Sequence, residues 1–139
     1  NFMADIYDVP GEGRAEKIRS MAERFEMTDA LGDRILSYSH GMRQKIMVMG
    51  ALLHDPSLWI LDEPLTGLDP RAAFELKEMM KEHAASGRTV LFSTHVLEVA
   101  QKLCNKVAIL RDGRLAADGE MEKLVRNHSL EELFMEVTQ

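Results

Sequence analysis

Leu58-Trp59-Ile60-Leu61-Asp62-Glu63-Pro64 pushes two adjacent carboxylates out of an apolar run. A continuous apolar run of this length, closed by a proline, reads as a strand buried on both faces with its acids at the carboxyl end. In open α/β sheets, ligands bind in the crevice beyond the carboxyl ends of the strands. Two like charges side by side are costly unless something positive or a transferable proton uses them. A phosphate-bound Mg²⁺ and an attacking water would use one each. The plain alternative is an acidic turn after a core strand, and the flanking residues must decide between the two.

The chain has 139 residues, 45% of them hydrophobic, which suffices for one domain and is short for two. A net charge of −6 argues against a nucleic-acid-binding surface as the main business. Cys104 is the single cysteine and cannot close an internal disulfide, which fits a reducing compartment. No apolar run approaches the about 18 residues of a spanning helix, and Asn1-Phe2-Met3-Ala4 has no signal-peptide layout, so the reading is a soluble chain. It begins without an initiator Met, in a stretch that reads as mid-helix, and is read as a fragment.

Upstream of the acidic strand, Phe2, Ile6 and Val9 share one face of a short helix that stops at Pro10-Gly11. Ala15, Ile18, Met21, Ala22 and Phe25 are spaced as the inner face of a second helix. Residues 28 to 39 read as a linker. Met42, Ile46, Met49 and Leu53 then define an amphipathic helix that ends before Asp55-Pro56, a methionine stripe better suited to a core than to a cofactor. Downstream, Asp69-Pro70 is an N-cap with proline at the first helical position, and Gly87 closes a helix whose buried face includes Ala73, Leu76 and Met80. Thr89–Phe92 is a second apolar strand ending at Ser93-Thr94-His95, followed by a helix carrying Val96, Val99, Ala100 and Leu103. This alternation is the rhythm of a parallel sheet. Val107–Leu110 make a third strand, and Asp112-Gly113 turns the chain back through Leu115 to Asp118. Two short helices follow, the last with Leu130, Leu133, Phe134 and Val137 on one face.

Four motifs occur in order: Tyr38-Ser39-His40-Gly41-Met42 opening a helix, Asp62-Glu63 ending a strand, Leu65-Thr66-Gly67-Leu68-Asp69 directly after it, and Ser93-Thr94-His95 ending the next strand. Together they resemble the second half of an ATP-binding-cassette (ABC) ATPase domain, with signature loop, Walker B, D-loop and switch-histidine loop. The resemblance covers essentially the whole chain. A Gly-x-x-x-x-Gly-Lys-Ser/Thr phosphate loop is missing from it, as is the glutamine loop that precedes the helical subdomain in such proteins.

The resemblance implies a role for each matched residue. Asp62 is similar to the Walker B aspartate that holds Mg²⁺, usually through water. Glu63 resembles the general base that polarises the attacking water, and its plain reading is a surface carboxylate. His95 resembles the switch histidine that contacts the γ-phosphate, where its plain reading is structural or exposed. Leu68 and Asp69 correspond to the D-loop at a dimer interface, although an N-cap role alone accounts for Asp69. The signature loop departs from the family's commonest Leu-Ser-Gly-Gly-Gln: Tyr38, His40 and Met42 stand in for Leu, the first Gly and Gln. Ser39 and Gly41 are kept, a hydroxyl donor and a backbone able to approach phosphate at the positive end of a helix. Ser39, His40, Gly41 and Met42 would then serve the nucleotide of a second subunit. Methionine after Gly, followed by Arg43-Gln44-Lys45, resembles the bacterial multidrug and antibiotic exporter branch, as does the ending Leu130–Thr138.

The implied fold is α/β: the C-terminal part of a P-loop NTPase parallel-sheet core, preceded by a helical subdomain. Residues 1–55 are the helical subdomain with the signature loop, and 56–139 the C-terminal half of the ATPase core. The implied function is the ATP-binding and hydrolysing subunit of an exporter-type ABC transporter, using ATP and Mg²⁺. Its partners would be a transmembrane permease subunit and a second ABC ATPase domain, at the cytoplasmic face of the cell membrane. Two other readings stay open: an ABC ATPase without a membrane partner, and a folding or interaction fragment without catalysis. In the family the phosphate-loop strand lies between the strands matching residues 88–93 and 106–110. A gap is therefore expected, with Val90, Leu91, Phe92, Val107, Ile109 and Leu110 on unpaired edges. Closure through residues 96–104 as a direct crossover, or pairing with another chain, would relieve it.

Overall fold

In a computed structural model that describes residues 1–126 and 128–138, Leu58–Leu61 forms strand β1, paired in parallel with β2 (Thr89–Phe92). The register sets Trp59 beside Val90 and Ile60 beside Leu91. Connecting them is α4, Pro70–Ala85, which begins as the sequence dictates: Asp69 accepts a hydrogen bond from the Ala72 amide at 2.9 Å, and Pro70 occupies the first turn. Upstream lie α1 (Phe2–Ile6), α2 (Arg14–Arg24) and α3 (His40–Leu52). The expected linker is organised by short 3₁₀ turns at Thr28–Ala30 and Ile35–Ser37, with the Tyr38 hydroxyl donating to the Ala30 carbonyl at 2.6 Å.

These elements belong to a compact unit, Asn1–Ser93. Its core is built by Phe25, Met27, Met49, Trp59, Leu76 and Met80, all nearly inaccessible. The ring of Trp59 meets that of His83 edge to face, with centroids 5.5 Å apart. Arg24 of α2 grips α4, giving Glu75 one bond at 3.0 Å and Glu82 two, at 2.7 and 3.0 Å. Its pKa is raised, first by the bond to Glu82; burial opposes the rise, and the bond to Glu75 adds to it.

Two expectations are corrected here. β1 is buried on one face only: Trp59 and Leu61 point inward, while Leu58 and Ile60 are 47% and 64% exposed, with Leu91 beside Ile60 at 57%. An uninterrupted apolar run states that both faces prefer apolar neighbours; among the described residues only one face has them. In α1, Phe2 and Ile6 are exposed and Ala4 is the buried residue. A helix of five residues buries little, and α1 approaches closely enough for a Cβ at Gly50 to lie 3.3 Å from Met3 Cγ.

The second compact unit is Thr94–Gln139, described to Thr138. It holds α5 (Leu97–Leu103), the antiparallel pair β3 (Lys106–Arg111) and β4 (Arg114–Glu120), α6 (Met121–Leu124) and α7 (Leu130–Thr138). Asp112 and Gly113 both take positive φ, as a two-residue hairpin of this twist requires. The pairing slips by one residue beyond Ile109, leaving Ala116 as a bulge. Ala100, Ile109, Met121, Leu130 and Leu133 form the core of this unit. Ser129 and Glu132 cap α7 reciprocally: each amide donates to the other's side chain, at 2.7 and 3.1 Å.

Among the described residues β2 pairs with β1 and β3 with β4, in two separate sheets. Leu91 and Leu110 are exposed, whereas Ile109 is buried in the second unit's own core. No described helix is long and apolar enough to cross a membrane.

Candidate functional site

β1 delivers Asp62 and Glu63 at its carboxyl end, and β2 delivers Ser93 beside them. The Ser93 amide donates to the Leu61 carbonyl at 3.0 Å, carrying the parallel pairing one step past the strands. That places the Ser93 hydroxyl between the acids: it donates to Asp62 Oδ1 and accepts from the Glu63 amide at 2.9 Å. Asp62 is exposed and Glu63 half-buried. Glu63 sits at φ +42. Among the described non-glycine residues of positive φ, Asp8, Glu26 and Asp55 follow helix ends, and Asp112 follows β3 within the hairpin; Glu63 follows β1 outside any hairpin. Holding a non-glycine residue there costs about 1–2 kcal/mol, a strain that persists only where neighbours impose it. The Ser93 bond and the buried Pro64 impose it here.

The signature-like loop is built on the start of α3. Ser39 Oγ accepts from the Met42 amide at 3.2 Å, a direct N-cap on a helix of 13 residues. The first turn of that helix carries no acidic side chain. The loop after β1 then lies against it. Gly67, at φ +78, has the His40 ring so close that a Cβ would fall 2.4 Å from His40 Cδ2. A Cβ on Gly41 would fall 3.0 Å from the Gly67 carbonyl oxygen. A side chain at Gly41 would press on the Gly67 backbone, and one at Gly67 would displace the His40 ring and strain the positive φ. One turn further along α3, Gln44 Nε2 donates to the Pro64 carbonyl at 3.2 Å, and Lys45 Nζ lies 2.9 Å from Asp69 Oδ2.

Asp69 thus uses one oxygen for the Ala72 amide and the other for Lys45. Its pKa is lowered, first by the Ala72 backbone bond and next by the Lys45 side chain. Leu68 is half-buried beside it, its amide donating to the Leu65 carbonyl at 3.3 Å.

Ser39, His40, Gly41, Met42, Asp62, Glu63, Leu68 and Asp69 consequently fall in one compact unit, where the contacts above join the two loops. His95 lies in the second unit, exposed, just before α5. Sequence reasoning named Ser93 only within a motif and gave Lys45 and Gly67 no role. Lys45 was findable, because Gly41 and Lys45 are four apart and share a helix face. The Ser93 bridge needed the strand register.

Among the described residues, no group of three or more His, Cys, Asp or Glu could cage a metal. Mg²⁺ in phosphoryl-transfer sites takes only one or two carboxylates, the remaining positions going to water and phosphate. An exposed Asp62, oriented by a hydroxyl and standing at a strand's carboxyl end, fits that requirement.

An α/β unit with paired acids beyond a parallel strand, next to a capped helix N-terminus, is a piece of a P-loop NTPase domain. Known proteins agree. A family model described as "AAA domain, putative AbiEii toxin, Type IV TA system" matches residues 14–99. The ABC transporter ATP-binding protein NatA of Bacillus subtilis (strain 168) is 35% identical over 95% of this chain and 54% of its own length. The Nod factor export ATP-binding protein I of Rhizobium leguminosarum bv. viciae is 38% identical over 78% of this chain and 35% of its own. A solved structure of the ATP-binding subunit of an ABC transporter superposes with TM-score 0.94 at 34% identity, over 99% of this chain and 60% of that one. The chain belongs to the ABC transporter ATP-binding family, and it is part of that family's nucleotide-binding domain. It spans about half the length of relatives such as NatA.

Proposed function

We propose that this chain supplies the signature-loop and Walker B portion of an ATPase subunit that drives an exporter-type ABC transporter through ATP-driven dimerisation. The observation that carries the reading is the junction of two loops: Ser93 bridging Asp62 and Glu63, and the Ser39-capped helix packed on Gly67 and paired with Asp69. Asp62 would hold Mg²⁺, which would supply charge neutralisation on the nucleotide phosphates. Glu63 polarises the attacking water, from a backbone held at φ +42 beside Asp62. His95 contacts the γ-phosphate. Ser39, His40, Gly41 and Met42 receive the partner's nucleotide in trans, with the amides of the α3 N-terminus as anion donors. Leu68 and Asp69 lie at the dimer interface. A transmembrane permease subunit and a second ABC ATPase domain complete the assembly at the cytoplasmic face of the membrane. Export is favoured by the Met42-Arg43-Gln44-Lys45 segment and by the export protein among the relatives.

This chain alone turns over no ATP, because it has no Gly-x-x-x-x-Gly-Lys-Ser/Thr loop to cradle the β- and γ-phosphates. The test uses a longer protein carrying these residues behind a phosphate loop. Glu63→Gln there retains ATP binding, loses most turnover and accumulates an ATP-bound dimer. Near-normal turnover removes Glu63 from the base role, and turnover by the 139-residue chain alone overturns the division of labour.

A further inference from the structure

We propose that Lys45 is a positioning residue that locks the Ser39–Met42 loop to the Leu65–Asp69 loop, so that the loop facing a partner's nucleotide and the loop following the chain's own acids move as one body. This rests on the function proposed above for what the loops do, but not for whether they are locked.

The lock has a physical basis in burial. The Lys45 side chain is only 12% exposed, yet its ammonium reaches Asp69 Oδ2 at 2.9 Å, and Asp69 is itself 52% exposed. The covered stem fixes where the ammonium sits, so forming the pair orders less side-chain freedom than a pair between two mobile surface chains does. Asp69 cannot follow Lys45 freely, because its other oxygen caps α4 through Ala72 at 2.9 Å. Helix α3 is therefore tied to the fixed first turn of α4. The loop between β1 and α4 is held on both sides: by Gln44 on the Pro64 carbonyl at its start and by Lys45 on Asp69 at its end. Between those points His40 and Gly41 fill the space over Gly67, leaving no room for a Cβ. A displacement of α3 along its axis would break the ion pair and drive the His40 ring into the Gly67 backbone. Neither loop shifts without the other.

The test is hydrogen–deuterium exchange by mass spectrometry on the 139-residue chain, comparing residues 38–45, 64–70 and 74–82. Lys45→Met keeps the stem and removes the charge. Asp69→Asn keeps an N-cap acceptor and removes the partner charge. Each variant is expected to speed exchange at 38–45 and at 64–70 together, by about three- to tenfold, with 74–82 unchanged. Lys45→Arg restores the pair and stays within about twofold of the parent, a rescue that simple loss of packing does not predict. Acceleration of one loop alone, of all three segments equally, or of none overturns the proposal. If Lys45→Met does not fold, Asp69→Asn decides by the same criteria. In a longer, active protein, Lys45→Met lowers kcat and leaves KM for ATP unchanged. Unlocked loops with unchanged kcat would keep the lock and overturn the functional role assigned to the loops.

Discussion

Replacing Ser39 by alanine and by aspartate separates its two jobs, capping α3 and meeting a phosphate. Alanine removes the oxygen that accepts from the Met42 amide at 3.2 Å, and loss of such a cap costs about 1 kcal/mol. For a unit the size of Asn1–Ser93 this lowers the midpoint of thermal unfolding by about 4–8 °C. Aspartate restores the acceptor and places a negative charge at a helix N-terminus, which is favourable by about 0.3–1 kcal/mol. Its stability should therefore match or exceed that of the parent. In an ATP-bound dimer, the same carboxylate would stand about 5 Å from a partner's phosphate, a repulsion of about 3 kcal/mol at an effective dielectric of about 20. That is roughly a hundredfold or more in dimer affinity. Urea unfolding of the chain measures the first effect; sedimentation of a longer Glu63→Gln protein with ATP measures the second. An unchanged dimerisation midpoint for Ser39→Asp refutes the placement of this loop against phosphate. Gly41 is the poorer probe, because any side chain there meets the Gly67 carbonyl at 3.0 Å.

Gly67→Ala should destabilise the chain by about 1–2 kcal/mol from its positive φ alone. His40→Ala in the same background should return part of the added clash cost, read as a coupling in a double-mutant cycle of urea unfolding; strict additivity would refute the packing. The exposed Leu58, Ile60 and Leu91 face should make the isolated chain self-associate, and Ile60→Lys should shift it toward monomer in light scattering. Asp69 has a lowered pKa, so the unfolded chain binds its proton first as pH falls. Its stabilisation is full above the ordinary aspartate value and is lost as pH falls through the lowered one. Asp69→Asn should flatten the acid limb of the stability–pH curve, and an unchanged limb would refute the assignment.

Much of the local structure is written in consecutive residues. Asp69-Pro70 starts α4 because a carboxylate can cap and a proline needs no amide partner there, and Asp112-Gly113 makes the hairpin because both residues accept positive φ. The ordered motifs at 38–42, 62–63, 65–69 and 93–95 carry the family, since each spacing reflects one strand or helix. The sequence also marks β1 as apolar on both sides, but the exposure of Leu58 and Ile60 depends on what stands next to them, which hydropathy cannot report. Ser129-Leu130-Glu131-Glu132 was a legible capping box, and Gly41 and Lys45 a legible helix face. The Ser93 bridge between Asp62 and Glu63, the Lys45–Asp69 pair and the His40 ring over Gly67 join residues 24 to 31 positions apart. Those contacts come from parallel register and helix packing, which bring distant backbone together by burying apolar area that has no sequence-local signature, so only the tertiary structure decides them.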